Sequence, residues 1–404
     1  MEFLLAGLSV RALAQSAVRA GYQVAAVDHF GDRDLAGLVP HRSLLRDLGA
    51  AFKAQALPGL AAGLDYQALA YVSNLENHPE VVRDLAGHRP VIGNSPEVLG
   101  RVRHWPTLRR VCAEQGLAMP ETLFPGEETR AAPGLAWLRK PILSGGGHAI
   151  RPWDGLPLGP GWYVQAKVPG VDASAVFVAN GRTSVVLGLC EQIIGDRRLG
   201  AKGFRHCGNV FPLAPELGGT ERMLAAVQDM ADRLTRIFGL RGVCGLDFMV
   251  ASGPDGAVRP VLLEVNPRPT SSAELVEEAG LASIFAAHVQ AMAGILPARP
   301  KHGPVREYLA KGIAFARQAM VLPEEEAWMT AGLRDVGYPG DAIAPGQPIC
   351  SILTRGRDRR EALENLFAAG RTLRRNLAGG APGQAWPGPA TAKHHDLPRG
   401  ERLE

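Results

Sequence analysis

Two runs, VCGLDFMV at 243–250 and LLEVNPRPTS at 262–271, restrict the fold of this chain more than any other feature. The turn-rich ASGPDGA at 251–257 lies between them, so the pair reads as the two arms of one β-hairpin. Symmetry about residues 254 and 255 puts Asp247 opposite Leu262. Side chains alternate with period two. One face then collects Leu246, Phe248, Val250, Val261, Leu263 and Val265, and the other Asp247, Glu264 and Asn266. The Asp247–Glu264 diagonal is then roughly 7–8 Å at the backbone. Two carboxylates and an amide at that separation suit one or two hard cations, and magnesium is usually held by one or two carboxylates plus phosphate oxygens. The plain alternative is a half-buried strand pair with a solvated polar face; the purity of the two faces argues against it. Asn266-Pro267-Arg268-Pro269-Thr270 ends the strand with two prolines, which cannot continue a central ladder. They fix Arg268 just beyond the carboxylates, where a guanidinium can grip a phosphate or carboxylate with two donors.

Upstream, LAWLRKPILSGGGH at 135–148 places Lys140 on a short strand before Ser144-Gly145-Gly146-Gly147 and His148. A glycine run lets backbone N–H groups turn toward an anion, and Lys140 offers a point charge for the same phosphates. The lysine precedes the glycines, so this is not a P-loop; a plain flexible turn is the competing reading. In WYVQAKVPGVDAS at 162–174, Val164, Ala166 and Val168 alternate with Tyr163, Gln165 and Lys167 before a Pro-Gly turn and Asp172. An apolar slot for a base and an acid for a ribose are both on offer there.

The order Lys-Pro, glycine loop, strand–turn–acid, strand with Asp, strand with Glu-x-Asn-x-Arg resembles that of the ATP-grasp ligases, closest to the carboligases related to biotin carboxylase. The resemblance covers roughly residues 1–360, and Glu264-Val265-Asn266-Pro267-Arg268 is its most specific part. It implies an α/β (α+β) ATP-grasp fold with an N-terminal Rossmann-like domain and a small C-terminal β-rich domain. It implies ATP and Mg2+ as cofactors, with Mn2+ able to substitute. It assigns Lys140 to the α/β-phosphates and Ser144–His148 to a loop closing over them. Gln165, Ala166, Lys167 and Val168 become the adenine hinge, and Asp172 the ribose contact. Asp247, Glu264 and Asn266 become the metal ligands, and Arg268 the group that stabilises the transferred phosphoryl or acyl-phosphate. The hinge of that family usually begins with Glu; Gln165 stands there in this chain.

At 404 residues the chain has room for two or three domains. A net charge of +4, spread over both signs, gives no case for nucleic-acid binding. The densest basic stretch, Arg101–Arg110, reads as a solvated helix face. Five scattered cysteines without a C-x-x-C suggest reduced thiols and a cytoplasmic protein, and Cys244 reads as a buried structural thiol. No apolar run approaches the ~20 residues needed to span a bilayer, and Glu2 and Arg11 make the N-terminus a strand rather than an export signal.

Along the chain, Phe3–Ala6, Val10–Ala20 and Val24–Asp28 form a βαβ opening. Ala70–Ser73 reads as a further strand, and Leu75-Glu76-Asn77-His78 after it either lines a substrate crevice or is a polar loop. Ser95 caps a helix that starts at Pro96. Residues 221–238 show a helical stripe at Leu224, Val227, Ala231, Leu234 and Phe238. The expected division is 1–95 Rossmann-like, 96–300 ATP-grasp, 301–378 β-rich with a terminal helix over 358–377, and 379–404 a disordered tail.

The expected function is activation of a carboxylate as an acyl-phosphate by Mg-ATP and its transfer to an amine. Coenzyme biosynthesis is one setting the resemblance suggests. The partners are small-molecule acids and amines, with no nucleic acid and no membrane, and the reading leaves room for a homodimer. Two rivals stand beside it: activation of bicarbonate, which would need a separate carrier, and a nucleotide-binding regulatory protein without catalysis. Loop 197–208, with Lys202, Arg205 and His206, either reads an acidic substrate or is solvated.

Overall fold

The computed structural model describes residues 2–253, 256–300, 307–323 and 333–378. The expectation of a disordered tail at 379–404, and the two residues at the centre of the hairpin turn, fall outside them.

The opening forms as read. β1 (Phe3–Ala6), β2 (Val24–Asp28), β3 (His41–Ser43), β4 (Ala68–Tyr71) and β5 (Val91–Ile92) build a parallel sheet in the order β3-β2-β1-β4-β5. β4 begins two residues earlier than the apolar run suggested. Ser95 accepts from Val98 N at 3.5 Å and starts the helix Pro96–Val102. Next, β6 (Thr122–Leu123), β7 (Trp137–Pro141), β8 (Arg151–Pro152) and β9 (Trp162–Ala166) pair as β6-β9-β7-β8. β9 does not alternate between a wet and a dry side: Tyr163, Val164 and Gln165 are all buried, because the strand is covered on both faces.

The centre of the molecule is an antiparallel sheet of β10 (Val171–Asn180), β11 (Ser184–Ile194), β12 (His206–Phe211), β13 (Arg241–Ser252), β14 (Val258–Asn266) and β15 (Tyr308–Phe315). β16 (Met320–Val321) and β18 (Ala342–Ile343) form a separate pair. β17 (Leu333–Arg334) and β19 (Pro348–Gly356) complete the large sheet, whose order is β14-β13-β10-β11-β12-β15-β19-β17. The C-terminal strands thus extend the same sheet that carries the hairpin, through the β12–β15 ladder from Gly208↔Gly312 to Phe211↔Leu309.

Each face of this sheet buries a different partner. Ala173, Ala175, Phe177, Leu246 and Phe248 pack on the helix Glu221–Phe238. That helix starts at Thr220, whose hydroxyl accepts from Met223 N, and stops at Gly239 in the left-handed conformation. It inserts Met223, Val227, Met230, Ala231, Leu234 and Phe238, with about 1.5–3 kcal/mol gained for each large apolar side chain removed from water. The opposite face packs Val176, Val178, Leu187 and Val243 against Leu5, Leu13, Ile92 and Phe285, so the N-terminal sheet sits directly over the side of the hairpin that carries the acids.

The hairpin register differs from the symmetric one. Phe248 pairs Leu262 and Val250 pairs Pro260, but a bulge between Asp247 and Phe248 makes Asp247 the direct partner of Glu264. A bulge sets two residues against one and shifts everything beyond it. Leu262, rather than Val261 and Leu263, therefore enters the core with Leu246, Phe248, Val250 and Val265. Val261 moves to the acidic face, and Leu263 packs beside it. Pro260 is tolerated because β14 is an edge strand.

Candidate active site

A polar row crosses six neighbouring strands on the face turned toward the N-terminal sheet. Glu264 stands opposite Asp247 and Asp247 opposite Ser174. Ser174 faces Cys190, two residues before Gln192; Gln192 faces Asn209, and Asn209 faces Lys311. Asp247 accepts from Gln192 Nε2 at 2.9 Å and from Asn266 Nδ2 at 3.1 Å. Glu264 accepts from Arg103 Nη1 at 3.1 Å. Burial and the adjoining Glu264 raise the Asp247 carboxyl above its ordinary range. Burial pushes Glu264 the same way, but the Arg103 guanidinium, the hydrogen bond with Asp247 and the Arg268 charge together outweigh it and hold Glu264 low. The two acids therefore favour one negative charge and one proton between them. A divalent cation can take the place of that proton, so the donors present fit magnesium. Among the described residues no group of three or more His, Cys, Asp or Glu side chains is disposed to hold a metal; this site has two carboxylates and an amide.

Arg103 is the residue that the sequence hid. It was expected on a solvated face, yet its side chain is 7% exposed, because Glu264 and the carbonyl of Val265 (3.3 Å) compensate its charge.

Lys140 and Gln165 meet: Lys140 Nζ donates to Gln165 Oε1 at 2.7 Å, and Gln165 Nε2 donates to Thr122 Oγ1 at 3.1 Å. The Gln165 side chain thus anchors the lysine. Burial lowers the Lys140 ammonium, while Glu264, Asp172 and Asp247 act against that shift. In the rest of the hinge segment, Ala166 N donates to Glu121 O and Lys167 N to Ala136 O, both at 2.8 Å. Val168 packs with Ala118 and Leu263 around Met249, Ala251 and Val261. This apolar patch lies two residues along from Asp247 on the same face, and Met249 is the register partner of Asp172. The symmetric register put Val261 and Leu263 on the core face and left Met249 unnamed; the bulge brings Val261 to this side.

The glycine loop touches loop 197–208. His206 N donates to Gly146 O at 3.0 Å, and Arg205 Nη2 lies 3.0 Å from His148 Nε2. Gly147 has φ +72°, and a Cβ there would lie 1.8 Å from the carbonyl oxygen of Phe204, so only glycine fits. Asn77 Nδ2 reaches Ser144 O at 3.3 Å from the other side. Of the three basic residues of loop 197–208, Lys202 is exposed and Arg205 also donates to Gly346 O. Burial pushes His206 down to about 4, and it bonds Asn209 at 3.0 Å as a neutral ring.

Arg268 closes the site. Its Nη2 donates to Glu76 Oε1 at 2.7 Å and to Asn266 Oδ1 at 3.2 Å, and its Nη1 to Pro269 O at 3.2 Å. The sequence-predicted residues Lys140, Gln165, Asp247, Glu264, Asn266 and Arg268 thus converge. Ser144–His148 border them, and Asp172 couples electrostatically to Lys140.

Residues 105–272 match the family model described as an ATP-grasp domain, and the resemblance to the ATP-grasp superfamily holds. Among solved structures, the chain is similar to the Campylobacter jejuni biotin carboxylase–β,γ-ATP complex, at 14% identity over 90% of this chain and 89% of that one, with a TM-score of 0.66. It is similar to N5-carboxyaminoimidazole ribonucleotide synthetase from Thermotoga maritima, at 15% identity over 93% and 98% of the chains and a TM-score of 0.62. It is also similar to the biotin carboxylase domain of Hydrogenobacter thermophilus 2-oxoglutarate carboxylase, solved with MgADP, ADP and bicarbonate, at 12% identity over 90% and 88% and a TM-score of 0.65. At these identities the likeness is one of fold. No curated protein matches the sequence. Among the described residues no helix is long and apolar enough to cross a membrane, and all five cysteines are free and buried.

Proposed function

We propose that the chain is an ATP-dependent ligase that activates a carboxylate and passes it to an amine. The observation that carries this reading is the meeting of Asp247, Glu264, Asn266, Lys140 and Arg268 at one end of the polar row. Lys140 would bind the α/β-phosphates, and the patch of Met249, Val261, Leu263 and Val168 would take the adenine, with Asp172 at the ribose. Asp247 and Glu264, with Asn266, would hold magnesium, which when bound supplies charge neutralisation on the phosphates. A substrate carboxylate oxygen attacks the γ-phosphorus, the bond to the β–γ bridging oxygen breaks, and ADP leaves. The amine then attacks the acyl carbon, phosphate departs, and the nitrogen loses a proton. No side chain serves as nucleophile. Arg268 stabilises the charge that develops on the transferred group. The glycine loop, seated on loop 197–208, excludes water that would hydrolyse the acyl-phosphate. We place the acid along Ser174, Gln192 and Asn209, toward Lys311. The segments 1–95, 96–300 and 301–378 are proposed as units of this arrangement, and the five reduced thiols fit a cytosolic setting.

Trapping with hydroxylamine tests the reading. Across a panel of carboxylic acids, Mg-ATP should give a hydroxamate and equimolar ADP with one acid class. ADP release that requires bicarbonate alone would assign the bicarbonate reaction instead. ATP binding without ADP release across the panel would assign a regulatory nucleotide-binding protein.

A further inference from the structure

We propose that Glu76 is a positioning residue for Arg268, so that the N-terminal unit sets the geometry of the phosphoryl-transfer group from a turn 192 positions away. The inference rests on the ligase reading and deepens it.

Glu76 lies in the short turn Leu75–Asn77 that follows β4, and it is 1% exposed. A carboxylate so deeply buried needs a counter-charge. That counter-charge is Arg268, whose side chain is 11% exposed. The pairing is end-on: Glu76 Oε1 takes Arg268 Nη2, while Glu76 Oε2 and Arg268 Nε are both buried with no hydrogen-bond partner. Arginine–carboxylate pairs frequently close as a fork with two parallel bonds, as Arg359 and Glu191 do here. In Arg268 one donor of the guanidinium stays unsatisfied in dry surroundings, a costly arrangement unless a ligand oxygen completes it. Glu76, Asn266 and the carbonyl of Pro269 hold Nη2 and Nη1, so the plane of the guanidinium is fixed before any substrate arrives. Such preorganisation is what makes a donor effective on developing charge.

The next residue does the same for the second arginine of the site. Asn77 Oδ1 accepts from Arg103 Nε at 3.1 Å, and Arg103 holds Glu264. One turn therefore carries two adjacent side chains that fix two different arginines of the site. A polar loop without a role in the site would not be tied to both.

The test is Glu76→Gln in the full chain, alone and in an Arg268→Lys background. The probe is Mg-ADP with aluminium fluoride, which occupies the position of a transferring phosphoryl group. Plain Mg-ADP affinity should stay near wild type, while the melting temperature falls because the buried Arg268 loses its counter-charge. Affinity for the aluminium fluoride complex should fall about tenfold or more, the loss of a charge-assisted contact. The same substitution should cost nothing further when Arg268 is already lysine. An equal loss in both backgrounds, a parallel loss of Mg-ADP affinity, or no loss at all would each overturn the proposal. If Glu76→Gln does not fold, Glu76→Asp keeps the charge but shortens its reach. It should retain Mg-ADP binding and lose the aluminium fluoride complex, and retention of both would overturn the proposal. Wild-type protein that binds no Mg-ADP would remove the ligase reading and this one together, whereas wild-type binding with an unaffected E76Q variant removes only this one.

Discussion

Asp247 stands directly across the edge hairpin from Glu264; Glu264 accepts from the buried Arg103, whereas Asp247 accepts from the amides of Gln192 and Asn266. The pair is therefore unequal. Glu264 carries the charge, and Asp247 is drawn toward the protonated form. Glu264→Gln should keep the strand face polar and the fold intact while abolishing magnesium-dependent ATP turnover. Release of ADP at the wild-type rate from that variant would remove Glu264 from the metal site.

Lys140 rests on Gln165, an amide rather than an acid, so its ammonium has no bonded carboxylate to detach from when phosphates arrive. Lys140→Ala should weaken ATP binding about ten- to a hundredfold, with a much smaller effect on melting temperature. Gln165→Leu should weaken it in the same direction, because the lysine loses its anchor. Unchanged affinities by calorimetry would show that neither side chain serves the nucleotide.

Gly147→Ala places a methyl group where the carbonyl of Phe204 now sits, at a φ that alanine resists. The glycine loop should leave loop 197–208. Turnover should drop by an order of magnitude or more, and ATP hydrolysis without product should rise relative to ligation. Gly145 and Gly146 are exposed, so the melting temperature should hardly move. A variant that couples ATP hydrolysis to ligation as tightly as wild type does would show that the seating of this loop is incidental.

What the sequence revealed and what it concealed divide by distance along the chain. β1, β2, the helix Glu221–Phe238 and the Ser95 cap depend on neighbours within a few residues, so their periodicity and caps are readable locally. The acids of the hairpin were found for the same reason. Their register was not, because one bulged residue leaves no compositional mark. Arg103 looked solvated because its partner Glu264 is 161 positions away. Glu76 remained between a crevice and a plain loop until Arg268 appeared beside it. The joining of β12 to β15 was concealed too, since the two strands lie on either side of the division expected after residue 300.

His288 docks the N-terminal sheet on the central one. Its Nδ1 accepts from Val243 N at 2.8 Å, and its Nε2 lies 2.9 Å from the carbonyl of Ile92, which requires the neutral ring. Burial pushes its pKa down to about 4. The unfolded chain takes up that proton near pH 6.5. The stability it contributes is therefore full above about pH 6.5 and is lost as pH falls toward 4, at about 1.4 kcal/mol per pH unit. His206 shifts the same way and adds to the loss. Melting temperature should fall steadily from pH 7 to pH 5, and His288→Gln should flatten that slope while lowering stability at pH 7. A flat wild-type profile would contradict the assignment.

Calorimetric titration of ATP into the full chain, first with magnesium and then with EDTA, reads the site most directly. Wild-type protein should bind ATP tightly with magnesium and far more weakly with EDTA, and a chain carrying both Asp247→Asn and Glu264→Gln should lose that difference. Equal ATP affinity with and without magnesium in the wild type, or a magnesium effect that survives in the double variant, would contradict a nucleotide–metal site at the edge hairpin.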